Sequence, residues 1–430
     1  MKYELDEVFG VSNKLIETYK HREDIDQKFI RAVGSDKHII IYGASKQGKT
    51  HLYKRHLSEN EFIIVECSPE SQTTDIYKSI LRQIGVSSNT TTTVSSEQSL
   101  SFDGSLSVKI KIPLVGALEP KIEADAGNVS TKSISYSTYE FNLSLAQDVS
   151  EALVCVKFTK KIIIENFHYL NEEIQRKLAF DLRTFHDSGI KFIILGIWKE
   201  KNRLLQFNGD LVDRITEIPV EPWAAGDFHK IITTGEELLN VDFSSIRDAI
   251  VSDTFGSVGV LQELCKESCI SAEVFRTSST RVKISDRNYL DAILKKVEHY
   301  SGRHFRSFET FIEQQKKNES QHLFLPYYFL RVLASLEFNE IQIGLTRDKL
   351  QEKIKDIHHN ASSICSSSMS YFLHNIVKYQ IKKGITPPLF DYDISNRTLR
   401  IIDSTLFFYL RYFKKDNIIE QLTQPEIVKN

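Results

Sequence analysis

Short apolar runs alternate with amphipathic stretches from residue 39 to residue 220, a rhythm that predicts a parallel α/β sheet. The runs at 39–42, 62–67, 162–165, 192–195 and 215–220 have the length and continuous apolarity of strands buried on both faces. Helical spacing lies between them. Ile76, Ile80, Leu81 and Ile84 mark one face of a helix over 74–84, and a second helix is predicted over 172–186.

Residues 86–147 break this rhythm. The tract Ser87-Ser88-Asn89-Thr90-Thr91-Thr92-Thr93 has too little apolar content to pack. Strict alternation follows at Leu106, Val108, Ile110 and Ile112, and again at Tyr139, Phe141, Leu143 and Leu145, with Gly116, Pro120 and Gly127 between the two runs. Period-2 runs separated by turn residues predict a β-hairpin or small sheet inserted into the core. The insert is either a decorative excursion or a contact surface for another subunit or partner.

After Pro222-Trp223 the pattern turns helical, at 227–234, 244–251, 258–267 and 286–299, as in a helical lid. From residue 323 an apolar helix is expected over 327–338. Thr346 is placed to cap a helix reaching 357, and Ser367 another reaching 383. Extended runs at 389–394 and 398–402 flank Ser395-Asn396-Arg397. Three helices followed by a two-stranded wing is the order of a winged helix. The implied division is a core over 1–225 with its insert at 86–147, a lid over 226–315, a winged-helix domain over 320–415 and a tail over 416–430. The length of 430 residues suits two or three domains at about 150 residues each.

The chemistry concentrates in Gly43-Ala44-Ser45-Lys46-Gln47-Gly48-Lys49-Thr50, which fits G-x-x-x-x-G-K-[ST] between the strand at 39–42 and a helix over 51–57. Glycines let the backbone aim successive N–H groups at phosphate oxygens, and the helix N-terminus adds positive potential. Lys49 is expected to reach the β/γ-phosphates of ATP and the Thr50 hydroxyl to hold Mg²⁺. With His51, residues 43–50 form the candidate binding set. Ile162-Ile163-Ile164-Glu165-Asn166 is the run ending in an acid, so Glu165 is the expected Mg²⁺-side carboxylate. Asn166 fills the next slot, where a carboxylate would serve as base; an amide orients water but cannot take its proton. Slow hydrolysis is therefore expected. The other reading is that Asn166 caps the following helix, with Glu172, Glu173 or a partner subunit supplying the base. Lys46 adds a cation facing phosphate or solvent, and His168 either approaches the γ-phosphate or is a packed or solvated histidine.

Bulk properties narrow the partners. Hydrophobic residues make up 41% and charged ones 26%, as in an ordinary globular chain, and the formal charge of −2 excludes whole-molecule attraction to DNA or membranes. Five dispersed cysteines give no zinc spacing. The start MKYELDEVFG lacks a signal-peptide core and no apolar run nears 18 residues, so a cytoplasmic protein with no membrane partner is expected. Residues 321–430 hold 14 Lys and Arg against 11 Asp and Glu. Lys378, Lys382, Lys383, His374, Arg397 and Arg400 could meet phosphates. The apolar side of the same helix (Met369, Phe372, Leu373, Ile376, Val377, Ile381) would equally suit a protein contact.

Together GASKQGKT, IIIENFHYL and the run Leu195-Gly196-Ile197-Trp198, Asp210-Leu211-Val212-Asp213-Arg214-Ile215 and Pro222-Trp223 resemble AAA+ P-loop ATPases of the origin-recognition/initiator type and the related STAND signalling ATPases. The resemblance covers about residues 10–300, and the terminal winged helix fits it. It implies an ASCE-type P-loop sheet, ATP with Mg²⁺, and assembly into a homo-oligomer. In such proteins an arginine before the fifth strand reaches a phosphate in the adjacent subunit. Arg214 matches that slot, the alternative being an ion pair with Asp210 or Asp213. Arg22 matches a position near the nucleotide base. Two departures stand out: Leu195-Gly196-Ile197-Trp198 offers no polar sensor, with Asn202 too far along, and Phe255-Gly256-Ser257-Val258-Gly259 lacks the lid arginine. The resemblance thus implies a slowly hydrolysing switch acting on a separately encoded protein effector, with bacterial antiviral defence as its setting by analogy. A DNA-binding initiator, transposition or repair ATPase is the alternative, and an inert nucleotide-binding scaffold a third reading. No nuclease or protease constellation is visible.

Overall fold

The computed structural model describes residues 2–12, 14–85, 87–89, 107–113, 136–313, 323–413, 418–420 and 422–423. Its central sheet is built from β1 (His38–Tyr42), β2 (Phe62–Glu66), β3 (Lys161–Glu165), β4 (Phe192–Gly196) and β5 (Ile215–Pro219). The strands are parallel, in the order β2-β3-β4-β1-β5. Each lies within one residue of its apolar run at either end. Continuous apolarity is required because both faces are covered. On one face Ile39, Ile41, Ile163, Ile193 and Leu195 pack with Phe29, Leu52 and Tyr53 from the helices Glu23–Gly34 and Lys49–His56. On the other, Ile40, Ile162, Ile164 and Ile194 meet Ile76 and Ile80 of Thr73–Gln83 and Leu178 and Leu182 of Glu172–Asp187.

The insert is a three-stranded antiparallel sheet, Ser87–Asn89, Ser107–Pro113 and Tyr136–Asn142, with Val108 opposite Phe141 and Ile110 opposite Tyr139. Two strands fall on the alternating runs. The third comes from the start of the Ser/Thr tract, whose residues 90–93 lie outside the described residues, as do Leu106, Gly116, Pro120 and Gly127. The second run stops being a strand at Asn142. Leu143 turns into the core, and an unpredicted helix, Ala146–Cys155, buries Val149, Ala152 and Leu153 against the sheet.

The lid helices are Ala225–Leu239, Arg247–Asp253, Val258–Ser271 and Asp286–Ile312. The last is 27 residues long and overruns its expected end at 299, because Tyr300, His304, Phe308 and Phe311 continue its buried stripe. Phe311 packs against Phe329, Phe372, Tyr379 and Phe390, so lid and C-terminal segment share one hydrophobic core. That segment comprises the helices Leu325–Ser335, Phe338–Ile343, Arg347–Ile357, Ser366–His374, Ile376–Lys382 and Ser404–Tyr412. Its sheet is antiparallel, with Thr398–Ile401 between Leu345–Thr346 and Phe390–Asp393. Thr346 caps its helix as expected, accepting from the Lys349 amide. The helix expected over 367–383 is instead two helices broken at Asn375, and its N-cap is Cys365 rather than Ser367.

Candidate functional site

Residues 43–50 leave the C-terminal end of β1 and curl into the helix Lys49–His56. Two glycines are obligatory for different reasons. A Cβ on Gly43 (φ +151°) would lie 2.8 Å from Val220 Cγ2, and Gly48 (φ +86°) caps the helix in the left-handed region. Lys49 Nζ donates to the carbonyls of Gly43 (3.0 Å) and Ala44 (2.7 Å), placing the ammonium across the mouth of the loop. Burial lowers Lys49 to about 8, opposed by the nearby Glu221 and Glu165 carboxylates. The Ala44 amide donates to Glu221.

β3 delivers Glu165 to the same place. Thr50 Oγ1 donates to Glu165 Oε1 at 3.3 Å and Tyr53 OH donates to that oxygen at 2.9 Å. A hydroxyl facing a carboxylate is a donor set that suits Mg²⁺, and the loop with its lysine suits phosphate, so the residues present fit MgATP. They open on a cavity of about 380 Å³ with three walls: the P-loop with the strand ends, the N-terminal arm from Gly10 to Arg22, and the start of the lid helix Val258–Ser271. Gln262 ties the last two together, accepting from the Gly10 amide and donating to Thr18 Oγ1.

Arg22 lies in this cavity, its guanidinium 3.7 Å from the Trp223 ring centroid and donating to the Val220 carbonyl at 2.9 Å. Buried Asp26 holds the loop carrying it, accepting from the Arg22 amide, Tyr19 OH and His56. Burial alone would raise the Asp26 carboxyl, but the Tyr19 and His56 hydrogen bonds hold it low. His51 also lines the cavity and donates to the Lys14 carbonyl at 3.0 Å, fastening the arm to the P-loop helix.

Asn166 faces the cavity in the left-handed region (φ 60°) and makes no side-chain cap. Asn171 caps the following helix instead, accepting from the Ile174 amide. Glu172 and Glu173 are exposed outside the cavity lining, with Glu172 bonded to Arg176. At the end of β4 the backbone leaves no room for a side chain at position 196. A Cβ on Gly196 would lie 1.4 Å from the ring of Trp198, which is fully buried and stacked on Tyr42. Asn202 is not among the lining residues; its amide donates to Glu217.

His168 lines the cavity, 3% exposed, with neither ring nitrogen hydrogen-bonded. Burial, then Lys49 and Arg203, push it down to about 3, so the imidazole is neutral. Lys46 lines the cavity and is partly buried: its chain packs against Gly259, and burial lowers its ammonium while Asp403 and Glu263 oppose that shift. Arg214 sits outside the cavity, before β5. It donates to Asp187 (3.1 Å) and to the Asp210 carbonyl (3.1 Å), whereas the Asp210 carboxylate binds Arg183. Neither expected carboxylate partner is used.

Three participants escaped the sequence reading: Glu66 and the arm at Gly10, which line the cavity, and the C-terminal segment. The last reaches the P-loop itself, where the Ser45 amide donates to the Ile402 carbonyl at 3.3 Å. For Glu66 the available signal was only an acid ending an apolar run, as at Glu165. Among the described residues no helix is long and apolar enough to cross a membrane.

Comparison with known proteins bears on this geometry. A family model described as "AAA domain" matches residues 31–204. No curated protein sequence matches the chain. Among solved structures, the Walker-type ATPase of Pyrococcus abyssi is similar at 14% identity and a TM-score of 0.50, over 91% of this chain and 95% of that one. The Aeropyrum pernix ORC1 protein in complex with DNA aligns at 12% identity and a TM-score of 0.43, over 98% and 97%. A Thermotoga maritima RuvB variant aligns at 13% and 0.40, over 95% and 97%. The chain has the P-loop NTPase fold, and its residues 31–204 match the AAA domain family.

Proposed function

We propose that this chain is an ATP-binding, slowly hydrolysing AAA+ regulatory ATPase that works as an oligomerising switch on a protein effector. The observation that carries the reading is the convergence of Lys49, the Thr50–Glu165 pair and the lid on one cavity whose P-loop is also bonded to the C-terminal segment. Phosphate binding must organise the loop amides, and that change bears directly on Ser45, which touches Ile402 and Ser404. Mg²⁺, held by Thr50 and Glu165, would supply charge neutralisation on the phosphates. Arg22, Trp223 and the apolar side of the arm suit the base. Asn166 in the base slot and the steric closure at Gly196 favour a holding site over a fast motor. Arg214 is surface-facing enough to reach a neighbouring subunit after release of Asp187. Antiviral defence is one setting for such a switch.

The test is ATP-dependent assembly of the full chain by light scattering together with its ATPase rate. ATP-induced oligomers and a turnover below about 1 s⁻¹ support the switch. A monomer in ATP with rapid turnover contradicts it.

A second reading is a DNA-binding initiator, transposition or repair ATPase. Its support is the winged-helix order of the C-terminal segment, which presents exposed Lys378, Lys382 and Arg397. Lys383 is less available, since it donates to the Thr310 carbonyl. ATP-dependent, salt-sensitive duplex binding would favour this reading.

A further inference from the structure

Two carboxylates line the cavity, and they are not equivalent. Glu165 ends β3 and accepts from both Thr50 and Tyr53. Glu66 ends β2, is exposed at the cavity, and its carboxylate has no hydrogen-bond or ion-pair partner among the described residues. The two residues are register partners in the parallel ladder. Phe62 and Ile64 of β2 pack on the face that carries Tyr53, and two-residue periodicity puts Glu66 on that same face. Adjacent parallel strands run about 4.8 Å apart, so a held and a free carboxylate sit side by side at the sheet edge. Such a pair divides labour: the hydrogen-bonded member is fixed in place, and the unpartnered one can turn toward a bound water.

The position after Glu165 is an amide, and Glu172 and Glu173 lie outside the cavity lining. The geometry points to Glu66 as the general base of the proposed ATPase. Its carboxylate takes one proton from the attacking water as the water oxygen bonds to the γ-phosphorus. The bond from that phosphorus to the β–γ bridging oxygen breaks, ADP leaves with the electron pair, and the proton passes from Glu66 to solvent. Asn166 orients the water through its amide. The base therefore comes from the edge strand β2 rather than from the residue after Glu165, and a base displaced from that slot is consistent with turnover below about 1 s⁻¹.

This inference rests on the ATPase reading, and the experiment separates the two. Full-length wild type, Lys49→Ala, Glu165→Gln and the isosteric Glu66→Gln are compared for turnover, for MgATP and ADP affinity by calorimetry, and for retention of ADP with aluminium fluoride. In Glu66→Gln, turnover should fall at least about 100-fold, the range of a lost general base. Nucleotide affinities should stay within about threefold, a shift well under one tenfold step of 1.4 kcal/mol. The ADP–aluminium fluoride complex, which needs the oriented water, should dissociate faster, and the acid limb of the pH–rate profile should disappear. Wild-type turnover in Glu66→Gln overturns the inference. So does a loss that raised Mg²⁺ restores, which would make Glu66 a metal-side ligand. Lys49-dependent turnover that survives Glu66→Gln removes this inference alone, whereas wild type without Lys49-dependent turnover removes the ATPase reading with it.

Discussion

Ser404, the first residue of its helix, donates a hydrogen bond at 3.4 Å to the carbonyl oxygen of Ser45 inside the P-loop, 359 positions earlier in the chain. With the Ser45 amide bonded to Ile402, both backbone groups of one P-loop residue are read by the C-terminal segment. MgATP should therefore change amide hydrogen exchange over Ser404–Tyr412 in wild type and leave it unchanged in Lys49→Ala. Exchange at that helix indifferent to nucleotide would disconnect the two ends of the proposed switch.

Asp403 holds that junction. Its carboxylate, 2% exposed, accepts from the Thr405 amide (2.8 Å) and hydroxyl (2.6 Å) and pairs with Arg303 at 2.8 Å. Removing one partner of a buried, hydrogen-bonded pair together with a helix cap should cost about 3 kcal/mol, discounted for the partly open Arg303. Asp403→Ala should thus lower the melting temperature by several degrees. An unchanged melting curve would show that the contact bears no load.

Gly196→Ala tests the close approach of the Trp198 ring to the end of β4. Its Cβ has no room beside Trp198, so the substitution should destabilise by at least about 2 kcal/mol, the scale of core overpacking. Loss of the near-ultraviolet signal of immobilised Trp198 should accompany the lower melting temperature. A stable, unperturbed variant would mean that the ring yields freely.

The sheet was legible because central parallel strands must be apolar on both faces, and Ile39, Ile40 and Ile41 or Ile162, Ile163 and Ile164 state that without help from context. The P-loop was legible because Gly43, Gly48, Lys49 and Thr50 are fixed by backbone geometry and charge. What escaped is long-range. Glu66 looks like any exposed strand end until β2 is known to lie beside β3. The Ser45–Ser404 contact leaves no local period. The helix expected over 286–299 runs on to Ile312, because the stripe Tyr300, His304, Phe308 and Phe311 continues it beyond the expected end. The helix expected over 367–383 breaks at Asn375, whose side-chain amide donates to the Tyr371 carbonyl.

Three buried histidines fix the acid limit of the fold. Burial, the largest cause in each case, lowers His38 to about 4, His168 to about 3 and His304 to about 4. His38 is pinned neutral: its Nδ1 accepts from the Phe192 amide and its Nε2 donates to the Leu182 carbonyl. In the unfolded chain these rings take up protons near pH 6.5, whereas the folded protein resists until about 4 or below. Stability should therefore be fully present above pH 6.5 and fall as pH drops from there toward 4. Thermal unfolding across pH 7.5 to 4.5 checks this, and His168→Phe should flatten part of the slope. A melting temperature flat over that interval would contradict the assignment.

The central claim is that residues 43–50 hold ATP and that the site hydrolyses it slowly. Calorimetric titration of MgATP into the full chain and into Lys49→Ala, with the steady-state turnover of the same samples, tests it most directly. The expected result is binding to wild type that weakens at least about tenfold in Lys49→Ala, as for a lost hydrogen bond to a charged group. Wild-type turnover should be below about 1 s⁻¹. Equal MgATP affinity in the two proteins, or turnover well above that rate, would contradict it.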